Sequence, residues 1–340
     1  MKHEMSLSIF ATQSRRRFLR CSLVTTALFT ALAASFRPTR AAGPGRDTDT
    51  VRLTWGFGGL PLIAKERGEF AKSLAKDGIK VEWVGPFPNH APSIQAVVGD
   101  SADFSFGGST TPALAAILAG SPLVFAQFAV VEPRTTSIIA KDSSGINSVP
   151  DLVGKSVAVN RSGVAEFLLV AALEKYHVDR SKVAVVYLNP PEAAPAFGSG
   201  QVDAWAMWSP GVDIARKQYK GHDIFVEGRD LNFQIDFNSW LIRKEFSERN
   251  HNLVVAVNAA FAAEAAWASA NSREAETIAQ KQGRYSDEIR DTFVAQNRQY
   301  HIRRTDDQEF LTQLQRAADW LYARKVLPGQ VRITDCVATV

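Results

Sequence analysis

Lys155-Ser156-Val157-Ala158-Val159-Asn160-Arg161-Ser162-Gly163, running on into Val164 to Tyr176, is the stretch on which the reading of the fold turns. A short run of apolar and β-branched residues reads as a buried strand. The Ser-Gly pair reads as a turn, and the Leu- and Ala-rich stretch behind it as a helix. The same unit recurs on both sides. Upstream, Val51 to Trp55 is a strand ending in Gly56-Phe57-Gly58-Gly59, followed by a helix from Pro61 to Lys76 and a strand from Lys80 to Val84. A short helix, Pro92 to Val98, leads to a strand at Asp103 to Phe106 ending in Gly107-Gly108, then a helix from Pro112 to Ala119 and a strand from Pro122 to Val131. Thr136 to Ala140 restarts the pattern, and Lys182 to Leu188 and Val202 to Met207 complete it. From about Asn250 the chain is Ala-rich, with a helix from Leu253 to Ala270, and reads as helical towards Leu327. Within it Phe261, Ala265, Trp267 and Ala268 form a packing stripe. Alternating strands and helices predict an α/β protein with mainly parallel sheets. Two such blocks and a helical return predict two lobes with a cleft between them.

The blocks echo each other. Val98-Gly99-Asp100-Ser101-Ala102-Asp103 and Ser199-Gly200-Gln201-Val202-Asp203 each combine a helix end, a glycine stop and an acidic residue before a buried strand. Their spacing differs by one residue.

At 340 residues, 46% apolar and 22% charged, the chain can bury a large core. Its net charge of +4 belongs to the N-terminus. Residues 1–41 hold seven basic residues and one acidic residue, and the remainder has 32 basic and 34 acidic residues, a balance of −2. Nothing favours a nucleic-acid partner. Ser14-Arg15-Arg16-Arg17-Phe18-Leu19-Arg20, the apolar stretch Cys21 to Phe36, and Ala41-Ala42 form the layout of a twin-arginine export signal over residues 1–42. Export to the periplasm in the folded state is expected. The mature chain keeps one cysteine, Cys336, which excludes an internal disulfide.

In open α/β sheets ligands bind at the carboxyl ends of strands. Here those ends are Gly56–Gly59, Gly107–Thr111, Asn160–Gly163 and Trp205–Ser209. Gly107-Gly108-Ser109-Thr110-Thr111-Pro112 offers close backbone approach, three hydroxyls and the free N–H groups of a helix start, a fit for an anion. One of the threonines could instead merely cap the helix before Pro112. Asn160-Arg161-Ser162-Gly163 repeats the geometry: Arg161 either forks onto an oxyanion or points to water, and the Ser162 and Gly163 amides face a ligand at the helix start. Of Trp205 and Trp208, one belongs to the core and the other walls a pocket, with Trp208, nearer the strand end, the better placed for the second role. His90 lies in a Pro-rich loop beside the expected cleft. No nucleophile elbow, zinc signature or dinucleotide loop is present, so no catalytic residue, metal or cofactor is expected.

From Val51 to about Phe246 the chain resembles the substrate-binding proteins of ABC importers for aliphatic sulfonates, nitrate and taurine. The resemblance rests on the order and spacing of Lys80-Val81-Glu82-Trp83, Val98-Gly99 with Asp103-Phe104, Asp151 to Asn160, Leu168 to Glu174, Tyr187-Leu188-Asn189-Pro190-Pro191 and Val202 to Pro210. It implies a two-lobed periplasmic binding protein fold of type II, closing on a small anion at the hinge. It also implies docking on an inner-membrane ABC permease and its ATPase; lobes that must close around a ligand favour a monomer. Lobe 1 would span 51–134 and 245–340, and lobe 2 would span 135–244. Residues expected at the ligand are Phe57, Gly58, His90, Ser109, Thr110, Thr111, Asn160, Arg161, Ser162, Gly163, Trp205, Trp208 and Asn238. Sulfonate-type members commonly have Gly-Glu where this chain has Gly108-Ser109, and Trp-Asp-Pro where it has Trp208-Ser209-Pro210. Fewer carboxylates favour a plain anion, such as a sulfonate or a sulfate ester, over the zwitterion taurine. A thiamine-precursor pyrimidine or nitrate binder shares these cues. So does a desulfinase-like enzyme, but that chemistry needs a cysteine in the cleft.

Overall fold

The computed structural model describes residues 45–340; the export signal expected over 1–42 lies outside them. Among the described residues the strands are β1 (Thr50–Gly56), β2 (Lys80–Phe87), β3 (Gly108–Ser109), β4 (Leu123–Glu132), β5 (Ser137–Lys141), β6 (Ser156–Val159), β7 (Ala184–Tyr187), β8 (Ala204–Met207), β9 (Gly221–Val226), β10 (Asn238–Arg243) and β11 (Gln299–Arg303). β5 to β9 form a five-stranded sheet in the order β7-β6-β8-β5-β9. The other strands come from both ends of the chain: parallel β1-β2, and the four-stranded β11-β4-β10-β3. Phe104 stitches these together, bridging Leu53 in parallel and Ile242 in antiparallel fashion.

The sheets are mixed, which corrects the expectation of mainly parallel ones. β6 runs parallel to β7 and β8, but β5 is antiparallel to both β8 and β9. β4 is antiparallel to β10 and β11. The chain passes between the sheets twice, from β4 to β5 and from β9 to β10, and strands that enter and leave cannot all share a direction. The expected strand at Asp103–Phe106 shrinks to the bridge at Phe104. The helix expected over Pro61–Lys76 is two, Leu60–Arg67 and Glu69–Lys76, broken where Gly68 adopts φ 73°. The helical return is also interrupted, because β11 adds an edge to β4 before the helix Gln308–Ala323.

The helix His251–Ala270 is long and apolar enough to cross a membrane by length and composition. It packs instead on the sheet that holds β4 and β11: Phe261, Ala265 and Ala268 are buried. Trp267 sits half-buried beneath the Arg67 guanidinium at 3.6 Å.

The echo between the blocks is structural, and its one-residue mismatch has a cause. The left-handed turn residue is Asp100 (φ 58°) in the first block and Gly200 (φ 80°) in the second, so three positions separate it from Asp103 and Asp203 alike. The Asp103 carboxylate accepts from the Arg52 N–H of β1 at 2.7 Å, and Asp203 from the Ser156 N–H of β6 at 2.8 Å.

Candidate functional site

A cavity of about 520 Å³ lies where the two sheets face each other, within the usual size of small-molecule sites. One wall is the end of β1 with Phe57 and Gly58, the Phe87–Ala91 loop and the Phe106–Ser109 turn. The facing wall holds Asn160, Arg161, Trp205 and Met207–Gly211. Segments joining the sheets close the floor, among them Arg134, Glu227, Asp236 and Asn238, and Arg298 and Tyr300 reach in from the C-terminal part. Across the rim Asn89 Nδ2 donates to Asn189 Oδ1 at 2.9 Å.

Nine of the expected ligand residues line this cavity: Phe57, Gly58, His90, Ser109, Asn160, Arg161, Trp205, Trp208 and Asn238. Trp205 is a core residue tilted against Phe197, whereas Trp208, one residue past the end of β8, is only half-buried. Thr110, Thr111, Ser162 and Gly163 are not on the wall, and the reason is chemical. Thr110 and Thr111 are fully buried, inside the helix Thr110–Leu118 rather than capping it. The hydroxyls of Ser109, Thr110 and Thr111 donate to one oxygen, Asp236 Oδ1, at 2.7, 3.0 and 3.1 Å. The Thr111 N–H joins them at 3.2 Å. A carboxylate of the protein itself therefore occupies the helix start that was expected to hold a ligand anion. In the second block Glu166 does the same: it accepts the Ser162 N–H at 2.6 Å, and its other oxygen takes Tyr187 Oη and Arg180.

Asp236 and Glu166 were not foreseen. The signal for Asp236 was three adjacent hydroxyls at a helix start, which need an acceptor once buried. Burial pushes the Asp236 carboxyl up, against the pull of its four donors. Glu227, also on the floor, is pushed up to about 7 by burial, opposed by Arg134 at 3.7 Å. Arg134 donates as well to the carbonyls of Leu231 and Phe233, tying the two connecting segments together.

His90 is a pillar of the wall, held at both ring nitrogens: Nδ1 lies 2.8 Å from the Ser109 carbonyl and Nε2 2.9 Å from Ser105 Oγ. A carbonyl can only accept, so a neutral ring carries its proton on Nδ1 and accepts from Ser105 at Nε2. Burial drives the imidazole down to about 4. Because the unfolded chain binds a proton near 6.5 and the folded chain does not until about 4, this residue makes stability fall as pH drops through that window, by up to about 1.4 kcal/mol per pH unit. Urea unfolding at pH 7, 6 and 5 measures it. His90→Gln should flatten the slope, and an unchanged slope would refute the assignment.

Arg161 is different. Its exposed guanidinium stacks on the Tyr187 ring at 3.7 Å and makes no hydrogen bond or ion pair among the described residues. The Asn238 side chain, half-buried on β10, is likewise without a hydrogen bond there, and the buried Asn160 Oδ1 has no partner. The cleft thus presents unused donors and acceptors beside aromatic walls.

The signature of the NMT1/THI5-like family matches residues 60–275, more than half of the chain. The chain belongs to that family. Among curated relatives it is 31% identical over 217 residues to a Bacillus subtilis protein named "Putative aliphatic sulfonates-binding protein", covering 63% of each. The match thus spans less than two thirds of that relative's length. Solved structures of the same fold include the periplasmic aliphatic sulphonate binding protein SsuA of Escherichia coli, with a TM-score of 0.74 and 24% identity over 86% of this chain and 98% of that one. SsuA of Xanthomonas axonopodis, described as alkanesulfonate-binding and bound to MOPS, gives 0.77 and 21% over 85% and 98%. The family member described here has the periplasmic binding protein fold, and the named relatives are binding proteins.

Proposed function

We propose that this chain is an extracytoplasmic solute-binding protein of an ABC importer, capturing an organic sulfonate and delivering it to an inner-membrane permease and its ATPase. The observation that carries the reading is the Arg161 guanidinium, without an ion-pair partner among the described residues and laid on Tyr187 at the edge of a cleft between two sheets. A guanidinium fork matches two sulfonate oxygens. Trp208, Phe57 and Phe106 offer apolar surface to the rest of the ligand. The two sheets are taken as the lobes, 51–134 with 238–340 and 135–237, acting as a monomer exported by the twin-arginine route; the return boundary moves back from the expected 244 because β10 pairs with β3 and β4. No enzymatic role is assigned. Cys336 is buried at the edge of β4, its thiol pushed up by burial, and it is not among the residues lining the cleft. A thiol so placed is neither ionised nor reachable.

Thermal unfolding of the exported form against alkyl and aryl sulfonates, sulfate esters, nitrate and pyrimidines tests the reading. A ligand at 100 times its Kd stabilises by about 2.7 kcal/mol, a rise of several degrees. A rise with sulfonates is expected. A rise only with nitrate or with pyrimidines would replace the ligand class, and none with any anion would overturn the proposal.

A further inference from the structure

The cleft holds two ionisable groups without an ion-pair partner among the described residues. Of the charged residues that line it, Arg134 faces Glu227 and Arg298 faces Glu276, each at 3.7 Å. Arg161 and Asp236 have no ion-pair partner among the described residues. They stand on different elements: Arg161 follows β6 of the five-stranded sheet, and Asp236 lies on the connection into β10 of the four-stranded one. Asp236 is 91% buried by its 9% exposure. Oδ1 accepts all four donors from residues 109–111, while Oδ2 accepts no hydrogen bond from the described residues.

We infer that Asp236 sets the specificity of the cleft. Its carboxylate excludes the ligand's anion from the start of the helix Thr110–Leu118, and its free oxygen selects an organic anion that also bears a cationic nitrogen. The inference rests on the sulfonate reading above and deepens it. A buried carboxylate without a counter-charge is costly. A zwitterion supplies one at Asp236 while its anionic end lies on Arg161, so both uncompensated charges are answered by one molecule. A plain alkanesulfonate answers only the second. This reverses the ranking drawn from the sequence, in which the loss of carboxylates at Ser109 and Ser209 counted against zwitterions. The missing negative charge is provided from another segment.

Calorimetric titration with two ligands matched in length, 3-aminopropane-1-sulfonate and butane-1-sulfonate, provides the test at pH 7.5. The wild-type protein should bind the amine at least tenfold more tightly. Asp236→Asn keeps the shape and most of the hydrogen-bond acceptance but not the charge, and should bring the two within about threefold. Equal affinities in the wild type, or a preference for butane-1-sulfonate, overturn the inference and leave the sulfonate reading standing. If neither ligand binds, nor any other sulfonate, both fall. A preference that survives in Asp236→Asn removes Asp236 from the role. The wild-type comparison needs no variant to fold, so it decides the ligand class even if the substitution does not yield stable protein.

Discussion

Arg161→Ala should weaken binding of an alkanesulfonate about ten- to a hundredfold and leave the free protein nearly as stable as before. A hydrogen bond to a charged group contributes about 1.5–3 kcal/mol, and each 1.4 kcal/mol is a factor of ten in Kd. The free protein loses little because the guanidinium is exposed and makes no hydrogen bond among the described residues, so only its stacking on Tyr187 disappears. At an exposed site that contact is worth about 0.5–1 kcal/mol. Arg161→Lys separates charge from geometry. An ammonium keeps the attraction but not the planar fork, so its Kd should fall between wild type and Arg161→Ala, with a steeper loss as salt rises. Titrations at 20 and 300 mM salt measure both. A Kd unchanged by Arg161→Ala would move the anion site away from β6.

Much of this site was legible because its signals are short. A run of apolar residues ended by Gly or Ser marks a strand end, and such ends at 56–59, 107–109, 160–161 and 205–209 do converge on one cavity. What the sequence concealed is long-range. Asp236 meets Thr111 across 125 positions, and nothing in Gln234-Ile235-Asp236-Phe237 announces it. The hydroxyl cluster was visible and its consumer was not, so Thr110 and Thr111 looked available to a ligand. Ser162 misled in the same way, since Glu166 caps its N–H from only four positions on, a local pairing that the sequence did offer. β11 was missed because an edge strand of five residues among helices owes its existence to the unpaired side of β4. The break at Gly68 was written in the chain as a glycine within a helical run, and was read through.

The glycine pair at 107–108 shows how a correct signal can be assigned to the wrong neighbour. Close approach was expected there, of backbone to ligand. The space is instead filled by the protein's own rings: a Cβ on Gly107 would come within 2.5 Å of Trp240, and one on Gly108 within 2.5 Å of His90. Trp240 is 1% exposed on β10, wedged against Phe261 at 5.2 Å, and has nowhere to retreat. Gly107→Ala should therefore cost about 1–3 kcal/mol, the usual penalty of overpacking. Trp240→Ala, which empties a large buried site, should cost about 3–5 kcal/mol. The two are in contact, so they should not add. With the indole gone the new methyl has room, and Gly107→Ala should cost close to nothing in the Trp240→Ala background. Should that background not fold, Trp240→Phe serves instead, because the clashing atoms Cζ2, Cη2 and Cε2 belong to the indole's six-membered ring. Urea unfolding of the four proteins gives the coupling energy. Additive costs would mean that the backbone at Gly107, and not the ring beside it, demands the glycine. A coupling of about 1–3 kcal/mol would fix Trp240 as the reason this turn stands where it does, two residues from each of Ser105 and Ser109, which hold the His90 ring, and the second of which gives its hydroxyl to Asp236.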